Sequence, residues 1–155
     1  IPGSLEAIAR LSQAGYRVAI ATNQSGIGRG YFNQTTLSEI HQKMRSYVKD
    51  KGGEINFIAH CPHLPEEQCY CRKPQPGLLQ QIAAHFGLKS LESVPMVGDN
   101  LKDLQAAAAE GCTPVLVQTG NGMFTMKQGN LPENAVMYRD LADFVSKFLF
   151  SNSCS

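Results

Sequence analysis

The 155-residue sequence lacks a basic stretch, a long apolar run and a visible signal peptide. It holds 14 Lys and Arg against 13 Asp and Glu, for a formal net charge of +1. This balance argues against a nucleic-acid-binding surface. No apolar run approaches the ~20 residues that a membrane helix needs. We therefore expect a cytoplasmic monomer that binds a small soluble molecule and neither nucleic acid nor membranes.

The length and the apolar pattern predict one α/β domain over residues 1–155. A chain of this size buries roughly two thirds of its unfolded surface. Strands are predicted at 16–21, 55–59, 94–97, 114–117 and 135–138. Helices are predicted from 5 to a stop at 15, from about 36 to near 52, from 76 to a stop at 87, from 101 to 110 and from 141 to 150. Short, continuously apolar strands that alternate with helices are typical of a parallel sheet with helices on both faces.

Four candidate zinc ligands fall within eleven positions, namely Cys61, His63, Cys69 and Cys71. Three thiolates and one imidazole form the closed tetrahedral set of a structural zinc site. The alternative is a group of buried thiols with a chance histidine, but the intervening residues are polar and turn-rich. A disulfide is less favoured because Cys69 and Cys71 are too close in sequence to bridge easily. We predict a small zinc-binding loop at 61–71.

A polar, glycine-rich segment follows the first predicted strand. It begins with Thr22, Asn23, Gln24 and Ser25 and ends at Gly30. In parallel sheets, ligands bind at the carboxyl ends of the strands. Backbone N–H groups of such a turn, together with the Thr22 hydroxyl, can bind phosphate oxygens. The alternative is an ordinary surface loop, and the spacing is not that of a P-loop.

Asp99 directly follows the predicted strand 94–97, and Asp103 lies four residues later. Mg²⁺ is usually held by one or two protein carboxylates, with waters and substrate phosphate completing its shell. This pattern indicates a magnesium site. The alternative is that Asp99 only caps the following helix, where Asp is a preferred residue.

Lys73 lies between the predicted zinc loop and Pro74, with Arg72 beside it. A metal-bound loop has little freedom, so it can hold a lysine where the charge of a phosphate must be neutralised. The alternative is an exposed pair of basic residues.

Together, Thr22, Lys73 and Asp99 reproduce the second, third and fourth motifs of the haloacid dehalogenase superfamily. Within it, the sequence resembles the zinc-loop phosphatases that act on D-glycero-D-manno-heptose 1,7-bisphosphate. The resemblance covers about 1–120 and is carried by residues 22–30, Cys61-Pro62-His63, Cys69-Tyr70-Cys71-Arg72-Lys73-Pro74, Pro76-Gly77 and Gly98-Asp99. It implies a Rossmann-like fold without a large cap domain.

The resemblance also implies a reaction, namely Mg²⁺-assisted removal of the 7-phosphate through an aspartyl-phosphate. Thr22 would hold the transferring phosphoryl group, Lys73 would offset its charge and Asp99 would help to hold Mg²⁺. Asp103 would orient Lys73 or Asn100 rather than touch the metal. Contacts with phosphate or sugar are implied for Asn23, Gln24, Ser25, Arg72 and Asn100.

The sequence departs from the family pattern in two places. No Asp-x-Asp-Gly-Thr-like motif occurs in the 155 residues. In the family this motif ends the first, central strand, so we expect that strand and the nucleophilic aspartate to lie upstream of Ile1. The chain alone is then expected to release no phosphate. The second departure is Asn100, where some members carry Lys.

Two alternative functions remain open. A histidinol-phosphate phosphatase would share the zinc loop and the chemistry, but the run from Ser25 to Gly30 resembles the heptose enzymes. Arg29 also suits an anionic sugar bisphosphate better than the amine of histidinol phosphate. A non-catalytic, zinc-stabilised binding module would not need a carboxylate such as Asp99 at a strand end.

Overall fold

The computed structural model of the chain describes residues 3–23, 34–61, 73 and 75–152. These residues form six helices and five strands in alternation. Their bounds are α1 Ser4–Gln13, β1 Ala19–Asn23, α2 Gln34–Asp50, β2 Phe57–Cys61, α3 Gly77–His85, β3 Pro95–Gly98, α4 Leu101–Ala109, β4 Thr113–Val117, α5 Gly122–Gln128, β5 Val136–Tyr138 and α6 Leu141–Asn152. None of the described helices combines the length and apolar character needed to cross a membrane.

All strand pairs among the described residues are parallel. β1 pairs with β2, with Ala19 opposite Phe57. β4 lies between β3 and β5, with Pro95 opposite Thr113 and Val115 opposite Val136. Parallel pairing brings the carboxyl ends of neighbouring strands to one edge, which is where the candidate site residues lie.

Helices cover both faces of the strands, as the apolar pattern predicts. On one face, α3 and α4 pack with Ala19, Phe57 and Met96 around buried Leu78. Replacing a buried leucine such as Leu78 with alanine costs about 2–5 kcal/mol. On the other face, the packing residues come from α1, α2 and α6 and from alternate strand positions, namely Ile20, Ile58, Val97 and Val115. This alternation is the pleat of a β-strand.

The first strand starts later than the sequence pattern indicates, because the helix before it ends in a hydrogen-bonded turn. Tyr16 N–H donates to the carbonyl oxygen of Leu11 (3.0 Å), so Tyr16 completes the end of α1. Gly15, with a φ of 92°, supplies the left-handed residue that this ending requires. The first strand is therefore Ala19–Asn23 rather than 16–21.

The sequence pattern predicts no helix or strand over 120–132, where the structure has α5. Gly122 is buried at its start, and a Cβ there would overlap the carbonyl oxygen of Val117. The helix thus begins directly against the end of β4. Glycine is a poor helix former, so its presence at this point hid the helix from pattern-based prediction.

A cavity of about 660 Å³ separates β1 from β3. Within the described residues, neither strand has a neighbouring strand on the side that faces the other. Apolar side chains such as Ile20, Met96 and Phe144 line most of the cavity, whereas Lys73, Asp99 and Asp103 also contribute to its lining.

Candidate active site

Lys73 and Asp103 form an ion pair beside the end of β1. Lys73 Nζ lies 2.5 Å from Asp103 Oδ1, and each side chain is 13% exposed. Nζ also donates a hydrogen bond to the carbonyl oxygen of Ala21 (3.1 Å). Ala21 directly precedes Thr22. The structure therefore holds the lysine charge next to the carboxyl end of β1, and it excludes the interpretation of Lys73 as part of an exposed basic pair.

Asp103 has a second contact, with the residue that precedes α4. Its Oδ2 accepts the Asn100 N–H (3.3 Å), while Asn100 Oδ1 accepts the Lys102 N–H (3.2 Å). This reciprocal arrangement is a capping box. A Cβ on Gly98 would come within 2.5 Å of Asp103, so the absence of a side chain at Gly98 lets Asp103 reach both Lys73 and Asn100.

Asp99 lies at the carboxyl end of β3 and does not cap α4. The alternative that it serves only as a helix cap is wrong, because Asn100 occupies the N-cap position. Asp99 Oδ2 instead accepts the Asn121 N–H (2.9 Å). The carbonyl oxygen of Asp99 accepts a hydrogen bond from Thr125 Oγ1 (2.8 Å). The carboxylate is partly exposed at the cavity that Lys73 also lines.

The structure describes the predicted phosphate-binding segment only in part. Thr22 is the fourth residue of β1 and lies opposite His60, and Asn23, opposite Cys61, ends the strand. Gln24, Ser25 and Arg72 lie outside the described residues.

Cys61 is the one described member of the predicted zinc set. It ends β2 and is fully buried. His63, Cys69 and Cys71 lie outside the described residues. In the part of the chain that is described, no group of three or more His, Cys, Asp or Glu side chains could hold a metal ion. Cys112 is also buried and packs with residues of α3 and α4, as expected for a structural thiol.

Three residues that lie against Asp99 are not predicted from the sequence, namely Gly120, Asn121 and Thr125. They follow β4, so the rule that ligands bind at the carboxyl ends of strands could have directed attention to them. No local motif distinguishes them from an ordinary connection, since their partner lies more than twenty residues away.

The chain is similar in sequence to known phosphatases. A family model described as HAD-hyrolase-like matches residues 70–144. The D-glycero-beta-D-manno-heptose-1,7-bisphosphate 7-phosphatase of Pseudomonas aeruginosa is 50% identical over 149 residues, covering 96% of this chain and 83% of that protein. The protein of the same name from Bordetella bronchiseptica is 51% identical, with the same coverage. This chain belongs to the heptose-1,7-bisphosphate 7-phosphatase family.

Solved structures of heptose 1,7-bisphosphate phosphatases support the same family assignment. The crystal structure of the D,D-heptose 1,7-bisphosphate phosphatase from B. bronchiseptica, complexed with magnesium and phosphate, has a TM-score of 0.94 and 50% identity, covering 97% of this chain and 84% of that one. The Burkholderia thailandensis enzyme has a TM-score of 0.77 and 44% identity, covering 96% and 85%. The predicted superfamily, fold class and phosphatase assignment are confirmed.

Proposed function

We propose that this chain removes the 7-phosphate of D-glycero-D-manno-heptose 1,7-bisphosphate in a Mg²⁺-dependent reaction. The observation that carries the proposal is the meeting of Lys73, Asp99 and Asp103 at one cavity, at the carboxyl ends of β1 and β3. The half-identical relatives named for this activity support the choice of substrate. We further propose that residues 1–155 act as one domain and that the enzyme is a cytoplasmic monomer.

Asp99 fits a role as a magnesium ligand. It supplies a hard oxygen donor at a strand end, and its Oδ2 is held by a backbone N–H. Mg²⁺ takes one or two protein carboxylates and leaves its other positions to water and phosphate oxygens. When bound, the ion would stabilise charge on the phosphoryl oxygens. Lys73 would offset the same charge, with Asp103 keeping its Nζ in position.

We propose that Thr22 holds the transferring phosphoryl group, with its hydroxyl as a donor to phosphate oxygens. Further contacts with phosphate or sugar are assigned to Asn23, Gln24, Ser25, Arg72 and Asn100. The cap on α4 orients the last of these, because Asn100 Oδ1 accepts the Lys102 N–H and the amide NH₂ stays available to a substrate.

The proposal includes an aspartyl-phosphate intermediate. Asp99 and Asp103 are poor candidates for its nucleophile. Asp99 is assigned to Mg²⁺, with its Oδ2 held by the Asn121 N–H, and Asp103 is paired with Lys73 and caps α4. A nucleophile must be available to attack in line with the leaving oxygen.

A structural zinc ion held by Cys61, His63, Cys69 and Cys71 completes the proposal. Cys61 is buried at the end of β2, where a bound ion would tie the following loop to the sheet. Metal analysis of the purified protein should give one zinc per chain, and Cys61→Ser should lower that ratio. An unchanged ratio in this variant would contradict the assignment.

The activity test measures inorganic phosphate released from heptose 1,7-bisphosphate and from histidinol phosphate in Mg²⁺. It compares the 155-residue chain with the same chain extended at its amino terminus by a strand ending in Asp-x-Asp-Gly-Thr. We expect the extended chain to release more phosphate from the bisphosphate than from histidinol phosphate, and the shorter chain to release none. Lys73→Met should abolish release, whereas Lys89→Met, at an exposed lysine, should not. Preference for histidinol phosphate would overturn the proposed substrate.

A further inference from the structure

The segment between β4 and α5 holds Asp99 at two points. Thr125 is 2% exposed, and its Oγ1 donates a 2.8 Å hydrogen bond to the carbonyl oxygen of Asp99. The Asn121 N–H donates a 2.9 Å hydrogen bond to Asp99 Oδ2. The main chain and the side chain of Asp99 are therefore fixed separately by one short segment.

This segment is itself fixed against the sheet. Gly120 and Gly122 lack a Cβ where one would overlap Asp99 Oδ2 and the carbonyl oxygen of Val117, respectively. Gly120 also has a φ of 59°, a conformation that glycine adopts without strain. Because Val117 ends β4, the position of the sheet determines the position of the segment, and the segment determines that of Asp99.

Because Thr125 is buried, the loss of its hydrogen bond would be energetically costly. Among the described residues, Thr125 is the only polar or charged side chain that is almost fully buried. A buried hydroxyl is stable only when it is hydrogen-bonded. Valine has nearly the same shape but cannot donate, so a valine here would fill the space and leave the Asp99 carbonyl without this donor.

We infer that Thr125 is a positioning residue whose hydroxyl, together with the Asn121 N–H, holds Asp99 so that Oδ1 is presented to a divalent cation. The inference rests on the proposed role of Asp99 in binding Mg²⁺. Residues that orient a metal ligand typically change metal affinity about 10–100-fold when replaced. Thr125→Val should therefore weaken Mg²⁺ binding about 10-fold, while Thr125→Ser, which keeps the hydroxyl, should change it much less.

The test follows Mg²⁺ binding by NMR titration of the 155-residue chain, which can measure millimolar affinities and needs no turnover. Val145→Ala is the matched control, because Val145 is equally buried but packs against α1 and β4 rather than Asp99. Asp99→Asn tests the metal site itself. Hydrogen exchange of the Asn121 amide without metal provides a second readout, since loss of the Thr125 contact should free Asp99 and expose that N–H.

Three results would decide the matter. Weaker Mg²⁺ binding and faster Asn121 exchange in Thr125→Val, but not in Thr125→Ser or Val145→Ala, would support the inference. If Asp99→Asn loses Mg²⁺ binding while Thr125→Val binds like the unmodified chain, the positioning role is wrong and the metal site stands. If Asp99→Asn binds Mg²⁺ normally, the proposed metal role of Asp99 fails, and the inference fails with it.

Discussion

Breaking the Lys73–Asp103 pair should destabilise the fold in a way that a double-mutant cycle can measure. The cycle compares the unmodified chain with Lys73→Met, Asp103→Asn and the double variant. Methionine keeps most of the apolar stem of lysine. Asparagine keeps an oxygen that can still accept the Asn100 N–H of the capping box, so each change chiefly removes one charge.

The expected magnitude follows from burial and from the contacts that remain. Removing one member of a fully buried pair costs about 3–5 kcal/mol, whereas an exposed pair contributes about 0–1 kcal/mol. With both side chains 13% exposed, the Lys73–Asp103 pair is closer to the buried limit. Asp103→Asn removes the carboxylate charge beside the Lys73 cation, which still donates to the Ala21 carbonyl, and should cost about 2–3 kcal/mol. Lys73→Met should cost about 1–2 kcal/mol, because Asp103 keeps its capping partner.

Urea unfolding, analysed by linear extrapolation, gives the four free energies of unfolding. We expect the double variant to be less destabilised than the sum of the single variants, with a coupling energy of about 1–2 kcal/mol. A coupling energy below about 0.5 kcal/mol would refute the reasoning, since it would mean that solvent screens the pair as it does at an exposed surface.

Three further predictions concern other parts of the structure. Gly120→Ala and Gly87→Ala both place alanine at a positive φ (59° and 68°), which costs about 1–2 kcal/mol. Only at Gly120 would the new Cβ overlap the Asp99 carboxylate, so only Gly120→Ala should also weaken Mg²⁺ binding. Equal Mg²⁺ affinities of the two variants would contradict this. Burial raises the pKa of Cys112 to about 11, so iodoacetamide at pH 8 should label Cys112 only after unfolding, and rapid labelling of folded protein would oppose this. Burial lowers the pKa of His41, so unfolding takes up a proton and the free energy of unfolding should fall as the pH drops below ~6.5. His41→Gln should reduce this pH dependence, measured by urea unfolding at several pH values. An unchanged pH dependence would exclude His41 as its source.

The sequence pattern predicts most of the architecture because it records burial. Apolar runs such as 94–97 identify strands, and the rule for parallel sheets then directs attention to Asp99 at the strand end. Boundaries are harder, since hydrogen bonds that end α1 extend to Tyr16. The apolar pattern cannot show that Tyr16 belongs to the turn rather than to the strand.

A local sequence pattern does not reveal contacts between residues that are far apart in the sequence. From sequence, Asp103 is expected to orient either Lys73 or Asn100, and in the structure it contacts both. Asp103 can make both contacts only because Gly98, which has no side chain, lies directly against it. Thr125 escaped notice for the same reason, because its bond to Asp99 spans 26 positions of sequence.

The cavity between β1 and β3 is also bounded by strand edges that can accept one further strand. Successive residues of a strand direct their backbone groups to opposite sides, and the Val18 carbonyl accepts the Asn56 N–H on the β2 side. Ala19 and Ala21 therefore direct theirs toward the cavity. A strand edge with apolar walls can pair with one more extended chain. A strand that enters there parallel to β1, such as the one added in the activity test, would join β1 to β3 and end beside Lys73, so the sheet and the site would be completed in the same step.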